Sequence, residues 1–311
     1  MTIDPDGFPA PPALVEHARR FHEQGGTPPV PRVAATVLLL RPAHAPAPAA
    51  GSAAGVGASA GGGAVPAAPA GEAAVAGRDG FEVYLIRRVA AMAFGGMYAF
   101  PGGGVDPSDS QAHVAWAGPA PAEWAGRLGL APEAAQAVVC AAAREVFEEA
   151  GVLLAGPDAG SVVGDVSGED WEAARVALER REVGFADLLA DRGLTLRSDL
   201  LLPWSRWITP EFEPRRFDTY FFVALLPAGQ RTRDVSGEAD RTLWIGPADA
   251  CARAGGGELA MLPPTLVTLG QVAACGDLPG VVAASAVRDP ATPVTPRLDV
   301  RPDGEARFVL G

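Results

Sequence analysis

The stretch Arg144-Glu145-Val146-Phe147-Glu148-Glu149-Ala150-Gly151-Val152 decides how this chain is interpreted. Its three carboxylates stand at relative positions i, i+3 and i+4, which share one face when the segment is helical. Each neighbouring pair of like charges destabilises an isolated helix by about 0.2–0.5 kcal/mol. Such a cluster therefore indicates a bound cation, and carboxylate oxygens favour Mg²⁺ or Mn²⁺. The alternative is a solvated acidic helix face, which needs no ligand.

A glycine-rich segment precedes the acidic helix. Phe100-Pro101-Gly102-Gly103-Gly104-Val105-Asp106 is typical of a short strand that runs into a glycine turn. Glycine has no Cβ, so the backbone can approach a ligand closely at this point. The turn favours a ligand site over a plain acidic surface.

Together the two segments resemble the signature of the Nudix hydrolase family, in which a glycine turn leads to a helix of pattern Arg-Glu-apolar-any-Glu-Glu-any-Gly-apolar. Every specified position from Arg144 to Val152 matches. The match has two departures. About forty residues separate Gly103 from Arg144, a much longer spacing than usual, and Gln136 stands where the signature has a further Glu.

The long insert is itself informative, because it resembles the Nudix branch typified by the peroxisomal coenzyme A diphosphatase of animals. Further segments that look like this branch are Val33–Pro42, Trp207–Pro210 and Arg215–Phe222. The resemblance spans about residues 31 to 311, with gaps. It implies an α/β fold, a Nudix-type α/β/α sandwich with a mixed β-sheet, here carrying an N-terminal helix and a C-terminal helix and hairpin.

Composition argues against several classes of function. The chain has 311 residues, of which 48% are hydrophobic, enough to bury a sizeable core. A formal net charge of −12 argues against nonspecific binding to nucleic acid or to an anionic membrane. The three cysteines have no metal-site spacing, and we expect them to be reduced. No signal peptide or apolar span is apparent, so we expect a cytoplasmic protein.

The chain divides into three parts. Residues 1–30 form an N-terminal extension with an amphipathic helix from about Pro12 to Gln24, and residues 31–255 form the expected catalytic domain. Residues 256–311 add a C-terminal helix and hairpin packed on the same domain. Within the domain, residues 43–79 are mainly Ala, Gly and Pro, which predicts a disordered loop. Residues 105–131 are the insert in the Nudix box.

Hydrophobic periodicity predicts the principal strands and helices. The predicted strands are Val33–Leu40, Phe81–Arg88, Leu200–Ile208, Phe217–Leu226 and Leu243–Ile245. The predicted helices are Pro132–Ala150, Asp170–Asp191, one near Ala248, and a last one over Pro264–Ala274. The loop at 43–79 should join two neighbouring strands as an enlarged hairpin, and Phe217–Leu226 should be central because it is apolar on both faces. A hairpin around Asp303-Gly304 is expected to close the chain.

The family resemblance assigns roles to the motif residues. It implies that one or more Mg²⁺ (or Mn²⁺) ions are held against a diphosphate. The implied metal ligands are Gly102, through its carbonyl, Glu145, Glu148 and Glu149. Arg144 is expected to orient the carboxylates, and Glu148 or Glu149 to contribute most to water activation.

Four arginines are candidates for binding phosphate, because a guanidinium fork suits phosphate oxygens. Arg87 and Arg88 end a predicted strand, and Arg215 and Arg216 open another. The alternative is that each is a solvent-facing charge. Together with the backbone of Gly103, they are the predicted substrate-binding residues.

Glu238 is a further catalytic candidate. It lies six residues before Trp244, where several Nudix relatives carry an extra catalytic or metal-binding Glu on a loop. The alternative is an ordinary loop carboxylate.

The resulting hypothesis is a magnesium-dependent hydrolase of coenzyme A or acyl-CoA that releases 4′-phosphopantetheine and adenosine 3′,5′-bisphosphate. ADP-ribose, NADH and nucleotide sugars remain alternative substrates, and a Nudix protein that senses a nucleotide without cleaving it is the alternative of another class. The expected partner is a small nucleotide diphosphate, with neither nucleic acid nor membrane. The sequence leaves a homodimer open.

Overall fold

Two apolar strands lie at the centre of the molecule and run parallel to each other. The computed structural model describes residues 8–9, 12–43, 80–90, 95–111, 113–234, 237–300 and 306–310. In it, Arg32–Pro42 and Phe217–Leu225 are in register from the pair Arg32–Phe217 to the pair Leu40–Leu225. Their nearly continuous apolar sequence suits strands covered on both faces.

The secondary structure follows the chain in this order. The helices of the described residues are α1 (Pro12–Glu23), α2 (Pro121–Leu128), α3 (Pro132–Ala150), α4 (Glu169–Glu179), α5 (Phe185–Asp191), α6 (Pro247–Gly255), α7 (Pro263–Ala273), α8 (Leu278–Ser285), and the 3₁₀ helices η1 (Pro107–Ser110) and η2 (Ser198–Leu200). The strands are β1 (Phe8–Pro9), β2 (Arg32–Pro42), β3 (Phe81–Arg88), β4 (Tyr98–Ala99), β5 (Gly102–Gly104), β6 (Trp116–Ala117), β7 (Ala155–Gly156), β8 (Thr195–Arg197), β9 (Leu202–Ile208), β10 (Phe217–Leu225), β11 (Ala239–Ile245), β12 (Pro293–Val294), β13 (Pro296–Val300) and β14 (Ala306–Leu310).

The main sheet is mixed, as predicted. Its strand order is β11-β3-β2-β10-β9-β12, with β4 paired to β3 and β5 paired to β2. The pairs β2–β10 and β9–β12 are parallel, and the other pairs are antiparallel. Strands β2 and β3 pair antiparallel from Leu40–Val83 to Pro42–Phe81, which confirms that the intervening segment joins neighbouring strands. Residues 44–79, most of the predicted disordered loop, lie outside the described residues.

Helices cover both faces of this sheet. Alternate residues of β2 point to opposite faces: Val37 and Leu39 pack in one apolar cluster with α2, α3 and α5, whereas Leu38 and Leu40 pack in a second cluster with α6, α7 and α8. This arrangement confirms the predicted α/β/α sandwich. Strand β10 lies between β2 and β9, so the prediction that it is central is also confirmed.

The helix that carries the acidic motif has the predicted bounds. Helix α3 begins at Pro132, whose missing N–H is not needed in a first turn, and ends before Gly151. Gly151 has φ 65°, a left-handed conformation in which glycine meets little steric resistance. The predicted core residues Val138, Val139, Ala142 and Val146 are all buried.

Two helix predictions were wrong. The single helix expected over Asp170–Asp191 is two helices, α4 and α5. The first ends because Arg181 has a positive φ of 59°, and α5 begins after Gly184. Helix α8 was missed because Pro279-Gly280 is typical of a turn. Asp277 caps this helix by accepting a hydrogen bond from the Gly280 N–H, and Pro279 lies in the first turn, where it is tolerated.

The two ends of the chain meet beside the sheet. Strand β14 pairs antiparallel with β13, which is the predicted terminal hairpin, although its tip at residues 301–305 lies outside the described residues. Strand β14 also pairs with β1, and Phe308 packs with Ala18 of α1 and with Phe212. The N-terminal and C-terminal extensions therefore form one apolar cluster.

No single helix in the described part of the chain has the length and apolar character needed to cross a bilayer. Helices α7 and α8 reach that composition only when taken together, and they are bent by 114° relative to each other. Both contribute buried side chains to the core.

Candidate active site

The acidic residues of α3 lie beneath the glycine strand β5 and line a cavity of about 490 Å³. Strand β5 is held in place by antiparallel pairing with β2, so the glycines and the helix come together only in the folded chain. A Cβ on Gly103 would lie 2.5 Å from the Glu145 carboxylate, so a side chain there would displace that carboxylate. Both parts of the sequence motif therefore contribute to one site.

Arg144 is the organising residue of this cavity. Its Nη1 donates to Glu145 Oε1 at 2.8 Å and to Glu148 Oε1 at 3.1 Å, and its Nη2 donates to the Gly104 carbonyl at 2.9 Å. Only 7% of the residue is exposed. Arg144 thus connects two motif carboxylates to the glycine strand, which supports the predicted orienting role.

A fourth carboxylate, Asp109, was missed by the sequence analysis. It lies on η1 inside the insert, is 2% exposed, and accepts two hydrogen bonds from Arg144, at 2.9 Å from Nε and 3.0 Å from Nη2. Gln136, which replaces the signature Glu, instead donates to the Gln111 carbonyl. The insert therefore provides a third acidic partner for Arg144, besides Glu145 and Glu148. The long spacing within the motif was the sequence feature that could have pointed to it.

Burial dominates the electrostatics of the site. Desolvation raises the pKa of Glu145 to about 7, although the nearby Arg144 charge opposes the shift. Desolvation, followed by repulsion from Glu145, raises the pKa of Glu149 well above its usual range. Burial lowers the pKa of Arg144, but hydrogen bonding to Asp109 and the surrounding carboxylates outweigh this and raise it. Keeping these carboxylates ionised becomes easier when a cation is bound among them.

The donor set fits a hard divalent cation. Glu149 Oε2 accepts a hydrogen bond from the Gly102 N–H at 2.6 Å, whereas its buried Oε1 has no hydrogen-bond partner among the described residues. An unpaired buried carboxylate oxygen is costly, and a metal ion would satisfy it. Within the same residues, no three Asp, Glu, His or Cys side chains converge as a preformed metal site. Glu145 and Glu148 are hydrogen-bonded to Arg144 instead.

The other predicted site residues separate into two groups. Arg88 and Glu238 both line the carboxylate cavity, and their charged groups are 3.8 Å apart. Arg87, in contrast, is engaged by both oxygens of Asp240, at 2.6 and 2.9 Å. Arg216 donates to the carbonyls of Thr209 and Pro29, and Arg215 is exposed. Arg87, Arg215 and Arg216 lie outside the lining of both described cavities, so the structure does not bring these three predicted substrate-binding residues to the site.

A second cavity, of about 290 Å³, adjoins the first and is mainly apolar. The two cavities share Arg88, Gly102, Gly103 and Phe217. The walls of the apolar cavity include Leu14 of α1 and Phe308 of β14, so the N-terminal and C-terminal extensions complete this cavity. The site therefore has a charged compartment and an apolar compartment on either side of the glycine strand.

An α/β/α sandwich whose acidic helix packs under a glycine strand defines a class of protein, and the comparisons show which known proteins share these features. The family model described as NUDT19 Nudix domain matches residues 123–272. The crystal structure of a NUDIX hydrolase from Alicyclobacillus acidocaldarius is similar, with a TM-score of 0.58, 26% sequence identity, and coverage of 85% of this chain and 99% of that one. In fold and in this family match, the chain resembles the Nudix hydrolase superfamily.

Two curated relatives agree with this resemblance. The acyl-coenzyme A diphosphatase NUDT19 of Xenopus laevis is 30% identical over 124 residues, which are 36% of this chain and 32% of that protein. A Caenorhabditis elegans protein named as a nudix hydrolase is 28% identical over 135 residues, or 42% of this chain and 41% of the relative. The matched segment therefore spans less than half the length of either relative.

Proposed function

We propose that this protein is a divalent-metal-dependent hydrolase that cleaves the diphosphate of coenzyme A or an acyl-CoA. In this reaction water attacks one phosphorus, the P–O–P bond breaks, and the products are 4′-phosphopantetheine, acylated or free, and adenosine 3′,5′-bisphosphate. The observation that carries the proposal is the cluster of buried Glu145 and Glu149 with half-buried Glu148 beside Gly102–Gly104. Arg144 holds Glu145 and Glu148, and the Gly102 N–H holds Glu149.

Each of these residues has a defined task in the proposal. Glu145, Glu148 and Glu149 would hold Mg²⁺ or Mn²⁺, and the Gly102 carbonyl would add a ligand. The bound cation supplies neutralisation of the diphosphate charge and activation of water. Arg144 keeps the carboxylates oriented through its hydrogen bonds, and the Gly103 backbone allows close approach of the substrate. Glu148 or Glu149 would contribute most to the activation of water.

Three further residues contribute less directly. Arg88 lies where the two cavities meet, where it would contact the diphosphate. Glu238 lines the same cavity and would assist metal binding. Asp109 would act only through Arg144, by keeping that guanidinium in position.

The apolar cavity supports coenzyme A over the alternative substrates. A diphosphate in the charged cavity would have one uncharged arm in the neighbouring cavity, and an acyl-pantetheine chain matches apolar walls. ADP-ribose, by comparison, carries a polar sugar on each side of its diphosphate. The name of the Xenopus relative, acyl-coenzyme A diphosphatase, is consistent with this choice.

Product analysis by mass spectrometry tests the proposal. The protein is incubated with Mg²⁺ and, separately, coenzyme A, an acyl-CoA, ADP-ribose and NADH. The expected result is fastest release of the 4′-phosphopantetheine product from a coenzyme A species. Faster cleavage of ADP-ribose or NADH would retain the reaction and overturn the substrate, and cleavage of none would favour a nucleotide sensor.

A further inference from the structure

Arg181 occupies a backbone position that normally belongs to glycine. It follows the last turn of α4, where its N–H donates to the Leu178 carbonyl and the next N–H, of Glu182, donates to the Ala177 carbonyl. This pair of hydrogen bonds is the Schellman motif, whose left-handed residue is usually Gly. Arg181 has φ 59° and is the one non-glycine residue with positive φ in the described part of the chain.

The other helix ends of this protein show what the motif ordinarily uses. The residues with positive φ that follow α1, α2, α3, α5 and α6 are Gly25, Gly129, Gly151, Gly193 and Gly257. A side chain in this conformation brings Cβ close to the backbone, so an arginine there is disfavoured by local energetics. Residues with strained backbone conformations cluster at active sites and ligand clamps, and the surrounding structure holds them in place.

The side chain of Arg181 is directed to the active site. It lines the carboxylate cavity opposite α3, 82% of the side chain is exposed, and its Nε lies 3.4 Å from Asp106 Oδ2. Arg144, in contrast, is buried and committed to Asp109, Glu145, Glu148 and the Gly104 carbonyl. Arg181 is thus an accessible cation in a cavity whose wall on this side also carries Glu179, Glu182 and Asp187.

We propose that Arg181 is a substrate-binding residue whose guanidinium contacts a phosphate group, exchanging its contact with Asp106 for phosphate oxygens. A guanidinium forms charge-assisted hydrogen bonds with phosphate, and on this acidic wall it would offset the repulsion that an anionic substrate meets. The phosphate is either part of the cleaved diphosphate or a separate one, such as the 3′-phosphate of coenzyme A. This inference rests on the proposed function for its substrate.

The substitution Arg181→Gly separates a structural role from a binding role. Glycine suits the left-handed position, so the melting temperature should stay the same or rise. Loss of the guanidinium should raise KM about tenfold and leave kcat within about twofold, which corresponds to losing one hydrogen bond to a charged group. A purely structural Arg181 would leave KM unchanged, and that result would overturn the proposal.

Two further variants complete the test. Arg180→Ala removes the same charge from the neighbouring exposed residue, which lies outside the described cavity lining, and KM should not change. An equal rise in KM in Arg180→Ala would attribute the effect to net charge and overturn the assignment. Arg181→Lys keeps the charge without the fork and should recover part of the affinity.

The source of the phosphate is resolved by comparing coenzyme A with dephospho-coenzyme A. A rise in KM confined to coenzyme A identifies the 3′-phosphate, and an equal rise for both identifies the diphosphate. If the wild type cleaves neither coenzyme A nor dephospho-coenzyme A, the proposed function fails. Calorimetric measurement of the binding of ADP and of adenosine 3′,5′-bisphosphate then tests Arg181 without turnover. Weaker binding of either nucleotide to Arg181→Gly supports the proposal, and equal binding of both rejects it.

Discussion

At the scale of single residues, the site depends on one buried arginine. Arg144 and Asp109 form a two-pronged ion pair with side-chain exposures of 8% and 0%. A buried charge that loses its partner is strongly destabilising, because it retains the cost of leaving water without the attraction that offset it. The insert therefore stabilises the active site as well as interrupting the motif.

Asp109→Ala should destabilise the fold by about 3–5 kcal/mol, the range for breaking a buried ion pair. It should also lower turnover, because Arg144 would lose the two hydrogen bonds that fix its Nε and Nη2 and would hold Glu145 and Glu148 less rigidly. Denaturant unfolding measures the first effect. The matched control is Asp240→Ala, which breaks an equally two-pronged pair with Arg87 at the surface and should cost far less. Equal losses for the two variants would contradict the argument from burial.

Glu149→Gln should lower turnover by about 10²–10⁴-fold while the fold remains. The amide keeps the shape of the side chain but is a poorer metal ligand and a poor proton acceptor. Because a neutral side chain also removes the cost of burying a carboxylate, the melting temperature should not fall. Glu133→Gln, at the exposed first turn of the same helix, is the control. Retention of more than about a tenth of the wild-type turnover would refute the role.

At the scale of elements, the position of the motif is decided by strand pairing. Strand β5 brings the glycines onto β2, and α3 crosses beneath them, although about forty residues separate the two halves in sequence. The insert between them is well packed: Trp124 of α2 is fully buried and contacts Phe222 of β10 edge to face. The α1 helix and the β13–β14 hairpin then add a wall to the apolar cavity.

Leu14→Trp should narrow that cavity and reduce cleavage of long-chain acyl-CoA relative to free coenzyme A. Each methylene kept out of an apolar site costs about 0.8 kcal/mol, or roughly fourfold in relative kcat/KM. The measurement is a series of acyl chain lengths at fixed Mg²⁺. Arg20→Trp, on the exposed face of the same helix, should leave the series unchanged. An unchanged series for Leu14→Trp would place the acyl chain elsewhere.

At the scale of the whole molecule, long-range strand pairs hold the described part of the sheet together. Strands β2 and β3 pair directly on either side of the Ala/Gly/Pro-rich segment, and both are largely buried. Loop-closure entropy changes slowly with length, by about 0.6 kcal/mol for each doubling. The length of this connection should therefore matter little to the stability of the sandwich.

Removal of residues 45–78, with a short Gly/Ser connection retained between β2 and β3, should shift the melting temperature by only a few degrees. Thermal unfolding of the full-length and shortened chains measures this. Leu85→Ala, a cavity in the fully buried part of β3, serves as the positive control and should cost about 2–5 kcal/mol. A large fall on shortening the segment would mean that it packs on the domain.

The amino-acid sequence by itself determined the features that depend on local periodicity and spacing. It predicted α3 to the residue, the apolar strands β2, β3 and β10, and the carboxylates of one helix face, because neighbours along a helix or strand are fixed by 3.6-residue and 2-residue repeats. Only the tertiary structure decided which distant residues join them. Asp109, Arg181 and the walls of the apolar cavity come from separate segments, and Arg87, Arg215 and Arg216 have partners elsewhere. Long-range packing sets these contacts, and local sequence patterns do not predict them.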